Sequence, residues 1–373
     1  MLVSQFARVR FRRRLRLVLV TLLGAGSVCT FTGCVTQILA NRLVSAPNLG
    51  GIPRPYNDPE LLAKVDAAAV ATWKTKVGPP DAEIGVSVFD PGDFKLKWDV
   101  VETEKDGKGI LDFQMNWVYP EKTDHALAAE PIGTLVFLHG IMMTRESMLP
   151  WALYFAEKNY RVVLVDLRGH GRSTGRRIGF GTWEADDLIQ VTNELERRGL
   201  LAGKLGVFGI SYGAAMGLQW AARDKRVATV IAVTPYADPR AAIIGFARGF
   251  DPGGAGKLSG ATFATAEARA EKIAGIHWNE LSIVDAVRRM KVPVLFVHGL
   301  QDTWIVPENT QTLYESAPHG SQRVTSSKDN HISIQLRKDV IGPMASEWFA
   351  LQLREQSPPA ATASATAVSG KSP

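Results

Sequence analysis

Residues 206–217 read GVFGISYGAAMG, and the fold turns on how these residues bend. The run KLGVFGI leading into them is apolar without alternation, as in a strand covered on both faces. The run YGAAMGLQWAARD leaving them is rich in small residues, as in a helix packed closely on something flat. A strand that becomes a helix within one or two residues turns sharply, and side chains beside the apex would collide. Gly209 and Gly213, each two residues from Ser211, remove that collision. The hydroxyl at the apex is then held out from the fold, where a nucleophile has to be.

The same rhythm extends in both directions. Strand candidates are EIGVSVFD, LDFQMNWVYP, TLVFLHG, YRVVLVDL, KLGVFGI, VATVIAVTP, VPVLFVHG and QRVTSS. From TLVFLHG onward they are continuously apolar, which suits parallel strands; the first two alternate more and are expected at an antiparallel edge. Between them lie amphipathic stretches such as TWEADDLIQVTNELERRG, with Ala185, Leu188, Val191 and Leu195 on one stripe and Gly199 as its stop. PELLAKVDAAAVATWKTK reads as an earlier helix, and PMASEWFALQLRE as a last one opening at Pro343. This alternation predicts a doubly wound α/β domain over residues 81–355. Residues 34–80 form a lead-in, 237–290 an insertion long enough for a small helical cap, and 356–373 a Pro/Ala/Ser/Thr-rich disordered tail.

GISYG between a strand and a helix is the G-x-S-x-G nucleophile elbow, and with it the chain resembles the α/β-hydrolase family over about residues 81–355. The resemblance implies a mostly parallel eight-stranded sheet with helices on both faces, and a Ser, Asp, His order of catalytic residues. After FLHG (Phe137–Gly140) it implies an oxyanion hole made by the backbone N–H groups of Ile141 and Tyr212. VLFVHGLQD ends in Asp302, where the family carries its triad acid; Asp238, in TPYADPR, is the alternative. Only His319 and His331 follow Asp302, and His331, past the last strand in SSKDNHISI, is the favoured base. His139 is read as packed beneath its loop, and Arg168 and His170 of DLRGHGRS as structural. Ser211, activated by His331 and Asp302, would form an acyl-enzyme that water hydrolyses. No cofactor or metal is implied: the chain has no CxxC, HExxH or carboxylate cluster.

DLRGHGRS with GISYG resembles the monoacylglycerol-lipase and serine-aminopeptidase branch. An aminopeptidase should hold its substrate ammonium with paired acids, and the cap offers Glu267, Glu271 and Glu280 without a tight pair, so an ester substrate is preferred. Ile243, Ile244, Phe246, Phe250 and Phe263 could line an acyl pocket, while Met142 and Met143 read equally as lining or core. A non-catalytic, membrane-tethered binding lipoprotein is the alternative from another class.

The net charge of +6 over 373 residues matches the six arginines at positions 8, 10, 12, 13, 14 and 16, so the remainder is near neutral and offers no nucleic-acid surface. Basic, then apolar, then small residues up to Cys34 is the order of an export signal. FTGC resembles a bacterial lipobox, which implies a signal over residues 1–33 and acylation of Cys34, hence an exported protein tethered to a membrane. An uncleaved anchor helix is the alternative. The other cysteine, Cys29, lies within that signal, so the processed chain would form no disulfide.

Overall fold

The computed structural model describes residues 28–50, 57–105, 108–116 and 130–354. In chain order it contains α1 (Val28–Val44), α2 (Pro59–Ala68), β1 (Ala71–Val77), β2 (Ala82–Phe89), β3 (Lys97–Lys105), β4 (Lys108–Asn116) and β5 (Thr134–Leu138). There follow α3 (Leu149–Ala156), β6 (Arg161–Val165), α4 (Glu184–Arg197), β7 (Leu205–Ile210), α5 (Tyr212–Ala221) and β8 (Val227–Val233). The C-terminal part holds α6 (Pro239–Phe250), α7 (Gly260–Ala274), α8 (Ile283–Arg289), β9 (Val294–Gly299), α9 (Glu308–Glu315), β10 (Gln322–Ser326), α10 (Ser333–Leu336) and α11 (Lys338–Gln352).

Eight strands form one sheet in the order β1-β2-β6-β5-β7-β8-β9-β10. The β1–β2 and β2–β6 pairs are antiparallel and every later pair is parallel. Alternate residues of each strand feed opposite layers. Val163 and Val165 of β6 join one core with α4 and α5, while Val162 and Leu164 join the other with α3 and α11. Two-sided burial is why these strands lack polar alternation in the sequence. On α4 the buried stripe contains Ala185, Leu188, Val191 and Leu195, and Gly199 follows the helix at φ +68°.

Three local expectations are corrected. The helix expected over PELLAKVDAAAVATWKTK stops at Ala68, and ATWKTKV is the edge strand β1. Its Trp73, Thr75 and Val77 turn inward between exposed Thr72, Lys74 and Lys76, a period of two rather than 3.6. Of the segment LDFQMNWVYP, residues 111–116 do not join the main sheet but pair with β3 in a separate two-stranded sheet, and the rest lies outside the described residues. The last helix opens at Lys338, so Pro343 sits inside it. The ring there removes one main-chain donor, which the helix absorbs because Trp348 and Phe349 anchor it in the core.

The insertion at 237–290 is helical, made of α6, α7 and the start of the crossover through α8. Helix α1 lies along α7, with Ala40 and Val44 buried and Arg269 donating to the Gly33 carbonyl (2.7 Å) and the Thr36 hydroxyl (2.6 Å). The expected tail at 356–373 and the expected signal up to residue 27 lie outside the described residues. Among those residues no helix is long and apolar enough to cross a membrane.

Candidate active site

The elbow forms because β7 ends against the N-terminus of α5. Ser211 lies between them at φ +50°, ψ −113°, a conformation that strains any L-residue. A methyl group on Gly209 would sit 2.6 Å from the Ala214 Cα, and one on Gly213 would run into the carbonyls of Leu138 and His139. Only glycine at both positions lets strand, turn and helix close on one another. The elbow is pinned to the neighbouring strand by the Ser211 N–H, which donates to the Val233 carbonyl at 2.8 Å.

Asp302 leaves the end of β9 and His331 follows β10, so adjacent strands bring them to the same sheet edge as Ser211. His331 Nδ1 lies 2.6 Å from Asp302 Oδ2, and Nε2 lies 3.1 Å from the Ser211 hydroxyl. A carboxylate beside Nδ1 keeps the proton there and leaves Nε2 free to accept the serine proton. All three side chains are buried or at its limit. The other carboxylate oxygen of Asp302 accepts from the N–H groups of Trp304 and Ile305, both at 2.9 Å. His298 Nε2 stands 3.2 Å from Asp302 Oδ2 and 2.8 Å from the Ile305 carbonyl. Two acceptors at that nitrogen require it to carry the proton, while Nδ1 faces the Thr310 hydroxyl. Burial pushes the Asp302 carboxyl up, but hydrogen bonds from His298 and His331, the imidazole charge and the Ile305 N–H outweigh it and hold the group at about 2.

Tyr212 follows the serine in the chain, and Ile141 follows Gly140, whose loop approaches Ser211. Tyr212 is the first residue of α5, so its N–H has no acceptor within the helix. The loop after β5 comes close: a Cβ on Gly140 would lie 3.8 Å from the Ser211 Cβ. Met142 has φ +61°, which turns the chain just after Ile141. This loop is clamped from outside by buried charge. Arg145 donates its main-chain N–H to Asp166 Oδ1 (2.8 Å) and its guanidinium to Glu146 (3.2 Å), while Arg172 bridges Asp66 and Glu146. Burial raises Asp166 to about 6 against the pull of Arg145.

Of the other histidines, His139 is fully buried, bonding the Gly140 carbonyl and accepting from the Leu167 N–H. His170 bonds the Arg168 carbonyl, and Arg168 forms a two-bond pair with Asp187. Both imidazoles bond loop backbone, and the one that bonds the Ser211 hydroxyl is His331. Asp238 caps α6 and pairs with Arg240, not with His331. His319 and His277 are exposed, and His125 lies outside the described residues. Phe263 is core on α7, whereas Phe246 is half-buried and Phe250 exposed on α6. Glu267 is buried, its carboxyl raised by that burial and by the charges of Asp238 and Glu271 against the pull of Arg240, while Glu271 accepts from the Trp278 N–H. Cys34 is exposed on α1. The sequence reading attached no role to Trp304 or His298; the spacing HGLQDTW, with both within four residues of Asp302, carried the only signal.

An eight-stranded, mostly parallel sheet with a serine elbow at its carboxyl edge defines the α/β-hydrolase fold, and the chain is a protein of that fold. The family model described as the alpha/beta hydrolase fold matches residues 133–269. An uncharacterized Bacillus subtilis protein, YqkD, is 26% identical over 231 residues, covering 57% of this chain and 72% of that protein. The Aspergillus aculeatus thiohydrolase aneE is 31% identical over 105 residues, 27% of this chain and 33% of its own length. Among solved structures, a Pyrococcus furiosus esterase superposes with a TM-score of 0.54 at 18% identity, covering 76% of this chain and 91% of that one.

Proposed function

We propose that the protein is a serine hydrolase that cleaves a carboxylic ester or a related acyl bond through Ser211, His331 and Asp302. The observation that carries this is the continuous chain of contacts from Asp302 through His331 to the Ser211 hydroxyl, 2.6 Å and then 3.1 Å. His331 takes the serine proton as the oxygen attacks the acyl carbon, and Asp302 steadies the imidazolium that results. Negative charge on the former carbonyl oxygen meets the N–H groups of Ile141 and Tyr212, each such donor being worth about 3 kcal/mol. The protonated imidazole then releases the leaving group. Water, deprotonated by the same nitrogen, frees the acid. Thioesters fall within the same chemistry, and the short stretch shared with a thiohydrolase is a reason to test them as substrates. A peptidase reading would need cap acids free to hold an ammonium, and Glu271 is already engaged by the Trp278 N–H.

Labelling with a fluorophosphonate probe and turnover of p-nitrophenyl acyl esters of rising chain length test this. Both are expected for the wild type and lost in Ser211→Ala; labelling that survives in Ser211→Ala removes the assignment. For the N-terminus we propose export and acylation at Cys34, resting on the order of residues 8–34 and the exposure of the thiol. Radiolabelled palmitate should enter the wild type and not Cys34→Ala.

A further inference from the structure

The loop that carries Asp302 holds a tryptophan that touches both the triad and the cap helix α6. Trp304 donates its main-chain N–H to Asp302 and stacks its indole on the His331 imidazole, with centroids 5.3 Å apart and planes 26° apart. Its far side meets cap helix α6. Phe246 approaches at 5.6 Å and Phe250 at 6.4 Å, both nearly perpendicular to the indole. Between these rings α6 has glycine at 245 and 249, four residues apart and so on one face. A methyl group on Gly245 would strike the Trp304 carbonyl oxygen, and one on Gly249 would strike the indole edge. Glycine inside a helix costs about 1 kcal/mol relative to alanine, so the pair weakens α6 while giving it a groove for this one residue. Elsewhere on α6 Pro239 is buried, and partly buried Ala242 and Ile243 pack against the core.

We propose that Trp304 is a positioning residue: it makes the alignment of His331 depend on how α6 is seated over the site. With α6 docked, the indole is wedged between the helix and the imidazole, and His331 Nε2 stays on the Ser211 hydroxyl. When α6 lifts, the indole gains room and the imidazole loses the surface that fixes its plane. Catalysis by the triad is thereby tied to a closed cap. This rests on the serine-hydrolase assignment above.

A double-substitution cycle tests it, using p-nitrophenyl acetate, whose acyl group is too short to reach far into the cap. Trp304→Ala should lower kcat by roughly 10- to 100-fold, the scale of a misplaced reacting group. KM should stay within about two-fold, since an aligning contact acts on the chemical step. Trp304→Phe, which keeps a stacking face, should recover most of the loss. Gly249→Ala should lower kcat in the wild-type background and cause no further loss in Trp304→Ala, where the methyl has room. Should Trp304→Ala fail to fold, Trp304→Leu takes its place in the cycle. A loss carried by KM makes Trp304 a substrate wall and overturns the proposal, as do additive losses at 249 and 304. An inert wild type overturns both this and the hydrolase assignment; an active wild type with unchanged Trp304 variants overturns this alone.

Discussion

His170 offers a measurement that separates a buried scaffold histidine from a titrating one. It is fully buried, its ring 5.0 Å from that of His139 and 5.7 Å from that of Tyr212. Burial and the neighbouring imidazole pull it from an ordinary 6.5 down to about 3. The unfolded chain takes up a proton near 6.5 while the folded chain refuses it, so folding stability falls as pH drops below 6.5. Between pH 7 and pH 5 this one ring removes about 2 kcal/mol. Asp166, Asp187 and Glu146 are raised by burial and act in the opposite sense, gaining stability as the pH falls. They are common to both proteins in a comparison with His170→Asn, whose amide can still donate to the Arg168 carbonyl. Urea unfolding at pH 7 and pH 5 should therefore show the wild type losing about 2 kcal/mol relative to the variant, roughly 4 °C in melting temperature. A difference between the two proteins that does not change with pH would refute a neutral buried ring.

Ser211→Gly and Ser211→Ala should both lose at least about 1,000-fold in kcat, yet differ in stability. Alanine keeps the strain at φ +50° and glycine does not, so calorimetry should place Ser211→Gly about 1 kcal/mol above Ser211→Ala. Asp302→Asn should cut kcat by about 10,000-fold because Nδ1 no longer keeps its proton, read in ester turnover at neutral pH. The carboxylate also stabilises the fold above its ordinary 3.8, an effect lost as pH falls towards about 2, so acid unfolding of Asp302→Asn should be less steep in that window. Arg145→Met should cost about 3 kcal/mol by leaving Asp166 without its guanidinium partner and Glu146 with Arg172 alone, and the cost should shrink as lower pH protonates the two carboxylates.

The elbow was legible because its constraint is local: glycine, serine and glycine two residues apart between an apolar run and a small-residue helix. The acid and base were legible as candidates from their place after the strands that end in HGLQD and SSK. The edge strand ATWKTKV was missed because a good helix former, PELLAKVDAA, runs straight into it and the alternation spans only seven residues. LDFQMN looked like a sheet edge because a two-stranded ladder and an eight-stranded one impose the same period on a strand; only pairing distinguishes them.

By itself the chain of residues determined the bend at 211 and the continuous apolar strands around it, since these follow from backbone sterics and from which faces must be buried; the order Ser, Asp, His was what the family resemblance implied. Tertiary structure alone decided which imidazole meets the serine, that His298 and Trp304 both attend Asp302, and that two cap glycines receive the indole. The contacts of His331 with Ser211 and of the cap glycines with the indole join segments dozens of residues apart, with no period or spacing along the sequence to announce them, whereas His298 and Trp304 lie within four residues of Asp302 and only their orientation is tertiary.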